Sequence, residues 1–297
     1  MKRTLYFGNP AYLKTTNDQM VISRGKDIPE VSTPIEDIGV VILDHSQITI
    51  SQPLLIKLLA NNTAMITCDD THHPVGMMLS LDGHTLQSQK FKAQIEASQP
   101  LKKQLWQQTI EAKIKNQAAV LAQLSKPDKT LIRLSQTVKS GDSGNHEAQA
   151  ATYYWRNLFE PELEFRRERY GPTPNNLLNY GYAILRAVVA RSLVASGLMP
   201  TLGIFHRNQY NAYCLADDIM EPYRPYVDQL IIKSREGNFP EEISPDMKRT
   251  LLTIPALDVM MDGKQSPLMN AVHRTTASLC RCFEGEQRKI VYPQMAD

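Results

Sequence analysis

The chain has 297 residues, 42% hydrophobic and 22% charged, which are values of an ordinary globular protein long enough for two domains. Its formal net charge of +2 gives no global field for nucleic acid, so any basic surface must be a local patch. The sequence has no apolar run long enough for a membrane span, no signal-peptide pattern and no CxxC pair among its four cysteines, so we expect a cytoplasmic protein with reduced thiols.

The first 80 or so residues are predicted to be mostly β-strand. Short runs rich in β-branched and aromatic residues alternate with turn formers. The runs are RTLYF, AYLKTT, QMVISR, IGVVILD, QITIS, TAMITCD and PVGMMLSL. One helix interrupts them, with Ser51 as its expected cap, Pro53 in its first turn and LLIKLLA as its apolar face. We therefore predict a small, sandwich-like β domain over residues 1–85.

From about residue 88 the apolar residues recur with the helical period of 3.6. FKAQIEASQPLKKQLWQQTIEAKIKNQAAVLAQLS is one helical run with a break near Pro100, and LIRLSQTVK is another. A third helix is expected to start after Ser143 as its N-cap. The clearest helix has Thr173 as its cap and ends at Gly197.

The tail from about Asp246 is also predicted to be helical. Residues 86–297 are then a helical-bundle domain, and the chain as a whole has an α+β fold. The least certain part of the boundary is the segment from Asp82 to Lys90.

The stretch GIFHRNQYNAYCLADDIMEPYRPYVDQL groups acids and a histidine beside two prolines. Asp218 and Glu221 are three residues apart, so a helix would place both on one face. Most such pairs lie on the surface, but apolar neighbours indicate that this helix is partly buried, and Pro222 would end or kink it at Glu221. His206 precedes the helix, and a lone histidine is more often a hydrogen-bonded structural residue than a metal ligand.

Glu147, in GNHEAQAATYYW, is the candidate for a further cation ligand that would join the carboxylate pair and His206 from elsewhere in the fold. Small alanines around it would leave room for another helix or for the backbone of a ligand. Taken alone, an acid in the first turn of a helix is explained by the helix dipole.

Basic residues cluster in EFRRERYGPTPNN, which holds Arg166, Arg167, Arg169 and Tyr170. Arg186 lies on the helix that follows. Arginine forks match phosphate oxygens, so these residues could line a nucleic-acid surface. Pairing of the arginines with nearby glutamates is an equally good interpretation; those glutamates are Glu162, Glu164 and Glu168.

Two segments together resemble the CRISPR-associated integrase family, the first of the two core proteins of spacer acquisition. They are RRERYGPTPNNLLNYGYAILRAVVARSLVASGL and LGIFHRNQYNAYCLADDIMEPYRPYVD. The order, spacing and β-then-α layout agree over nearly the whole chain, and the wording DDIMEPYRP is most similar to the type II branch.

The resemblance implies that Glu147, His206 and Glu221 are the metal-binding and catalytic residues. Asp218 then either binds the metal or supports a ligand. The resemblance also implies Mg²⁺ or Mn²⁺ as the cofactor and a DNA-binding surface formed by Arg166, Arg167, Arg169, Tyr170, Asn176 and Arg186.

The implied activity is insertion of captured foreign DNA into a CRISPR array, by attack of a fragment 3′-hydroxyl on a repeat phosphodiester. The implied assembly is a homodimer formed through the β domain, with two such dimers flanking a small second adaptation protein. Two alternatives stay open: a metal-dependent DNA nuclease without integration, and a non-catalytic DNA-binding scaffold.

Overall fold

The computed structural model describes residues 2–72, 74–168, 171–235, 237 and 239–295. It divides into two compact units, Met1–Thr85 and Leu86–Asp297. The first unit is built mainly of strands and the second mainly of helices, which confirms the predicted α+β fold.

The N-terminal unit contains two four-stranded sheets and one helix. Its elements are β1 (Arg3–Phe7), β2 (Ala11–Thr16), β3 (Gln19–Ser23), β4 (Val31–Pro34), β5 (Ile38–Leu43), β6 (Ile48–Ile50), α1 (Gln52–Ala60), β7 (Ala64–Cys68) and β8 (Pro74–Met78). One sheet has the order β1-β5-β7-β8 and the other the order β4-β3-β2-β6. Strand β4 is not among the predicted strands.

One hydrophobic core joins both sheets to α1. Leu13 from β2, Met20 from β3, Val41 from β5 and Leu54 from α1 belong to the same buried cluster. The sheets therefore share a single core, as a sandwich requires. Ser51 lies at the predicted cap position of α1, although its side chain makes no capping hydrogen bond.

The C-terminal unit is largely helical. Its helices are α2 (Gln87–Glu96), α3 (Gln99–Gln123), α4 (Lys129–Gln136), α5 (His146–Leu158), α6 (Asn175–Ala195), α7 (Cys214–Met220), α8 (Arg224–Lys233), α9 (Pro245–Leu251) and α10 (Leu268–Phe283). The predicted break near Pro100 falls between α2 and α3, where the Ser98 hydroxyl accepts a hydrogen bond from the N–H of Leu101. In the described part of the chain, no helix has both the length and the apolar character needed to cross a bilayer.

The tail is not continuously helical, contrary to the prediction. Strands β9 (Asp258–Met261) and β10 (Lys264–Pro267) form an antiparallel hairpin before α10. Asp262 and Gly263 both have positive φ, of 51° and 73°, as the tightest two-residue hairpin turn requires. This Asp-Gly pair is a hairpin signal that outweighs the helical pattern around it.

The role of the N-terminal unit in dimerisation stays a prediction, and its edge strands give it a physical basis. Val31 on β4 and Val75 and Met78 on β8 are large apolar side chains exposed on edge strands. Such edges are usually covered by another chain or by charge.

We expect a protein reduced to residues 86–297 to be a monomer and the full chain to be a dimer, as measured by light scattering. A helical unit that remains a stable dimer would contradict the assignment.

Candidate active site

Glu147 lies in the first turn of α5, and Asp142 fixes the start of that helix. The Asp142 carboxylate accepts hydrogen bonds from the N–H groups of His146 and Glu147, at 2.8 and 2.9 Å. The predicted cap, Ser143, is exposed and has helical backbone angles instead. The prediction of Ser143 was wrong because the tight turn at Gly141 and Asp142 brings the longer carboxylate under the helix end.

Glu221 lies at the junction of α7 and α8, in a single 3₁₀ turn that also contains Pro222. Its carboxylate is almost fully buried, and the Arg224 guanidinium contacts its Oε1 at 3.0 Å. The amide of Asn116 on α3 donates to the carbonyl of Pro222 at 2.7 Å. Arg224 and Asn116 therefore both hold the turn that contains Glu221 and Pro222, and the Glu221 carboxylate lies in the protein interior.

Lys113, in the middle of α3, connects the two glutamates. Its Nζ lies 2.8 Å from Glu147 Oε1 and 2.6 Å from Glu221 Oε2. Burial alone would raise the pKa of Glu221, but the positive charges of Arg224 and Lys113 outweigh burial and hold that pKa below its ordinary value. Glu221 is therefore an anion although it is buried.

Asp218 is fully buried and holds the segment before α7 in place. Its Oδ2 accepts from the N–H groups of Ile204 and Phe205, at 2.7 and 2.9 Å. Its Oδ1 lies 2.5 Å from His206 Nδ1, and this hydrogen bond raises the pKa of His206. Because Asp218 engages Nδ1, Nε2 is the nitrogen of His206 that can face a ligand.

Another buried carboxylate, Asp228 on α8, contacts the side chains that surround Arg224. It accepts hydrogen bonds from the hydroxyls of Tyr182 and Tyr154, at 2.5 and 3.0 Å. The Arg224 guanidinium stacks over the Tyr182 ring, 4.8 Å from its centre. Tyr182 therefore links Asp228 to the arginine that contacts Glu221.

The structure thus brings Glu147, Glu221, His206 and Asp218, which the family resemblance implies as site residues, into one region. His206 and the two glutamates are near enough to interact electrostatically. In the described ranges, however, no three His, Cys, Asp or Glu side chains are already arranged around a single point. Lys113 lies between the two glutamates, so the cation that both carboxylates contact in this structure is its ammonium group.

The predicted DNA-binding residues have different environments. Arg166 is exposed, whereas Arg167 donates to Asn175 Oδ1, Asn179 Oδ1 and the carbonyl of Glu168. The prediction that Arg167 either binds phosphate or pairs with a glutamate carboxylate misses this structural role. Arg169 and Tyr170 lie outside the described residues.

Asn176 and Arg186 also have partners within the protein. The Asn176 amide donates to the carbonyl of Glu241 at 2.8 Å. Arg186 makes a two-pronged contact with the Asp217 carboxylate, at 2.6 and 3.1 Å. Contact of either side chain with DNA would have to compete with these bonds.

The sequence reasoning missed several residues that build the site, among them Lys113 and Asp142. A signal for Lys113 exists, because it lies on the same helical face as Thr109, Ile110 and Gln117, all of which are buried. A lysine within such a stripe needs an anionic partner. Asp142 has a weaker signal, since it stands outside the usual cap position.

Comparison with known proteins shows one consistent family. Residues 5–253 match the family model described as CRISPR associated protein Cas1. The chain is 35% identical over 283 residues to the CRISPR-associated endonuclease Cas1 of Neisseria meningitidis serogroup C (strain 8013), which covers 93% of this chain and 90% of that one.

Solved structures share the fold at lower identity. One is described as a casposase bound to integration product, with a TM-score of 0.79 and 21% identity over 98% of this chain and 92% of that one. Another is a chain of a Cas6-RT-Cas1--Cas2 complex, with a TM-score of 0.72 and 22% identity over 97% of this chain and 35% of that one.

The capping role of Asp142 can be tested against Ser143. Asp142→Ala should lower the free energy of unfolding by about 0.5–2 kcal/mol, because two helix N–H groups lose their acceptor. Ser143→Ala should change it by no more than about 0.5 kcal/mol, since the side chain is exposed. Urea denaturation measures both. A loss for Ser143→Ala as large as that for Asp142→Ala would contradict the assignment.

Proposed function

Because this chain belongs to the Cas1 family of CRISPR-associated proteins, we propose that it is a divalent-metal-dependent DNA endonuclease and integrase of CRISPR adaptation. The observation that carries the proposal is the convergence of Glu147, Glu221 and His206 from three separate segments of the helical unit. The resemblance to the type II branch is consistent with the Neisseria relative.

The chemistry of these side chains fits Mg²⁺ or Mn²⁺. Two carboxylates supply hard oxygen ligands, and Nε2 of His206 adds an imidazole that Mn²⁺ accepts readily. Such an ion polarises a phosphoryl group and stabilises negative charge on the attacking or leaving oxygen. Glu147, Glu221 and His206 would hold it, while Asp218 orients the imidazole through Nδ1.

We propose that Asp218 is not itself a ligand. Both of its oxygens already accept hydrogen bonds, from three backbone N–H groups and from the His206 ring. A metal would have to replace several of these bonds in a fully buried position. Its role would be to position His206 through Nδ1.

The proposed reaction is attack of a fragment 3′-hydroxyl on a phosphodiester at the border of a CRISPR repeat. If water attacks the same phosphodiester instead, the strand is hydrolysed. The name of the Neisseria relative, an endonuclease, favours hydrolysis as a second activity of the site. New branched joints would reveal integration, and shortened fragments would reveal hydrolysis.

A groove along α5 is the proposed path for DNA near the site. It has a volume of about 830 Å³ and is lined by Trp155, Arg156, Phe165 and Arg166, among others. Arginines can contact phosphates, and an aromatic ring can stack on a base. Since Glu147 is on the same helix, a strand in this groove would lead towards the carboxylates.

The proposed partners are a second copy of the chain, DNA and a small second adaptation protein. One solved structure with this fold belongs to a complex that includes Cas2, which supports a partner of that kind. The non-catalytic scaffold is disfavoured, since the Neisseria relative, 35% identical over 93% of this chain, is named an endonuclease.

The site assignment predicts a graded series of activities. With fragment and repeat DNA, the proposed partner and Mn²⁺, variants Glu147→Gln, His206→Ala and Glu221→Gln should each lose strand joining and cleavage, because each removes a ligand. Asp218→Asn should retain activity reduced by about 10- to 100-fold, as expected for a residue that supports a ligand. Gel analysis of labelled DNA measures both products.

The exposed Glu162 provides a control for that series, because Glu162→Gln removes a carboxylate outside the site. It should behave like the unchanged protein, and a chelator should stop both reactions. Near-normal joining by Glu221→Gln would refute the assignment. Loss of all activity in Asp218→Asn, with folding intact, would refute the supporting role.

Arg166 and Arg167 should differ in DNA binding and in stability. Arg166→Ala should reduce the slope of log affinity against log salt by about 0.7–0.9, the loss of one phosphate contact. Arg167→Ala should lower the free energy of unfolding by about 1–3 kcal/mol, because partly buried oxygens of Asn175 and Asn179 lose a charged donor. Binding titrations at several salt concentrations and urea denaturation measure the two effects. An unchanged slope for Arg166→Ala would exclude it from the DNA surface.

A further inference from the structure

Lys113 contacts both glutamates that are proposed to bind the metal. We infer that Lys113 is an internal competitor of the divalent cation: it pairs with Glu147 and Glu221 when no metal is bound and has to release at least one of them when metal binds. The inference rests on the proposed metal-dependent function, and it assigns a role to a residue that the proposed reaction does not otherwise use.

The pairing is forced by burial. The Lys113 side chain is only 11% exposed, and it starts from the face of α3 that carries the buried residues Ile110 and Gln117. An ammonium group in such surroundings needs anionic partners. Glu147 and Glu221 supply them at 2.8 and 2.6 Å.

The same oxygens cannot serve both cations fully. Oxygen ligands lie about 2.0–2.1 Å from Mg²⁺, and an ammonium group at its present distance from the same oxygens would lie close to the ion. Like charges repel strongly where water is largely excluded. The lysine must therefore move, or metal binding must be weaker than the carboxylates alone would allow.

The charges of the neighbouring groups indicate what would allow a divalent cation to replace Lys113 at the carboxylates. Glu147 and Glu221 contribute −2, and Lys113 and Arg224 contribute +2, so the four groups are already neutral. A divalent ion adds two positive charges, which DNA phosphates can balance while offering the displaced ammonium a new partner. Lys113 would thus make metal uptake depend on DNA, and so limit cleavage before DNA is seated.

Two variants separate the charge of Lys113 from its hydrogen bonding. Lys113→Gln keeps a donor but removes the charge, and Lys113→Met removes both. Lys115 is two residues away on the same helix and is exposed, so Lys115→Gln is the matched control. Calorimetric titration of the full-length proteins with Mn²⁺, without DNA, measures metal affinity directly and requires no activity.

We expect Lys113→Gln and Lys113→Met to bind Mn²⁺ at least about tenfold more tightly than the unchanged protein. Lys115→Gln should differ by less than about twofold. Lys113→Met could fail to fold without metal, because the buried Glu221 and the partly buried Glu147 would lose both the shared cation and its N–H donors. In that case Lys113→Gln decides the question.

A second titration in the presence of fragment DNA tests the coupling. DNA should strengthen Mn²⁺ binding in the unchanged protein, and this gain should be much smaller in Lys113→Gln. Equal gains in both proteins would overturn the coupling.

The failure of this inference differs from the failure of the proposed function. If the unchanged protein binds Mn²⁺ in a Glu221-dependent way and Lys113→Gln binds it equally or more weakly, the competitor role is overturned and the metal site stands. If neither protein binds Mn²⁺, with or without DNA, the proposed metal-dependent function is overturned together with this inference.

Discussion

The candidate site depends on charge compensation around one buried carboxylate. Glu221 is 4% exposed, and an isolated carboxylate in that position would become protonated. Arg224 from α8 and Lys113 from α3 keep it ionised, and Lys113 extends the compensation to Glu147 on α5. Three helices are thereby tied to one anion, so the packing of the helical unit and the chemistry of the site cannot be altered independently.

Glu221 and Asp228 are both buried, and their different surroundings shift their pKa values in opposite directions. Glu221 faces two cations, and its pKa lies below the ordinary value. Asp228, only seven residues further on, is hydrogen-bonded to two neutral phenols, and burial raises its pKa to about 7. The first acid is suited to holding a cation. The second fixes Tyr182, and through that ring the position of Arg224.

Much of the fold could be predicted from local pattern. Strands with alternating β-branched residues and helices with a clear period identify themselves within a few residues. Asp218 and Glu221 were also recognisable, because their three-residue spacing and the proline after them are local features. The hairpin at Asp262 and Gly263 lies in a segment whose apolar spacing favours a helix, so its local turn signal competes with the pattern around it.

The missing parts of the site depend on long-range contacts. Lys113 meets Glu147 and Glu221 across 34 and 108 positions of the chain, and no local pattern specifies such a pairing. The sequence could show only that a lysine stands in a buried stripe. Which acid it meets is decided by the way α3 packs between α5 and the α7–α8 junction.

Arg166 and Arg167 show why residue type alone does not define a DNA surface. Asn175, buried at the start of α6, donates to the carbonyls of Arg166 and Pro172 and accepts from the N–H of Glu168. Arg167 adds a further bond to the same amide oxygen. The backbone that carries Arg166 is therefore fixed before any ligand arrives, which reduces the ordering that binding would require. If Arg166 contacts DNA as proposed, Arg167 acts by holding the backbone that presents it.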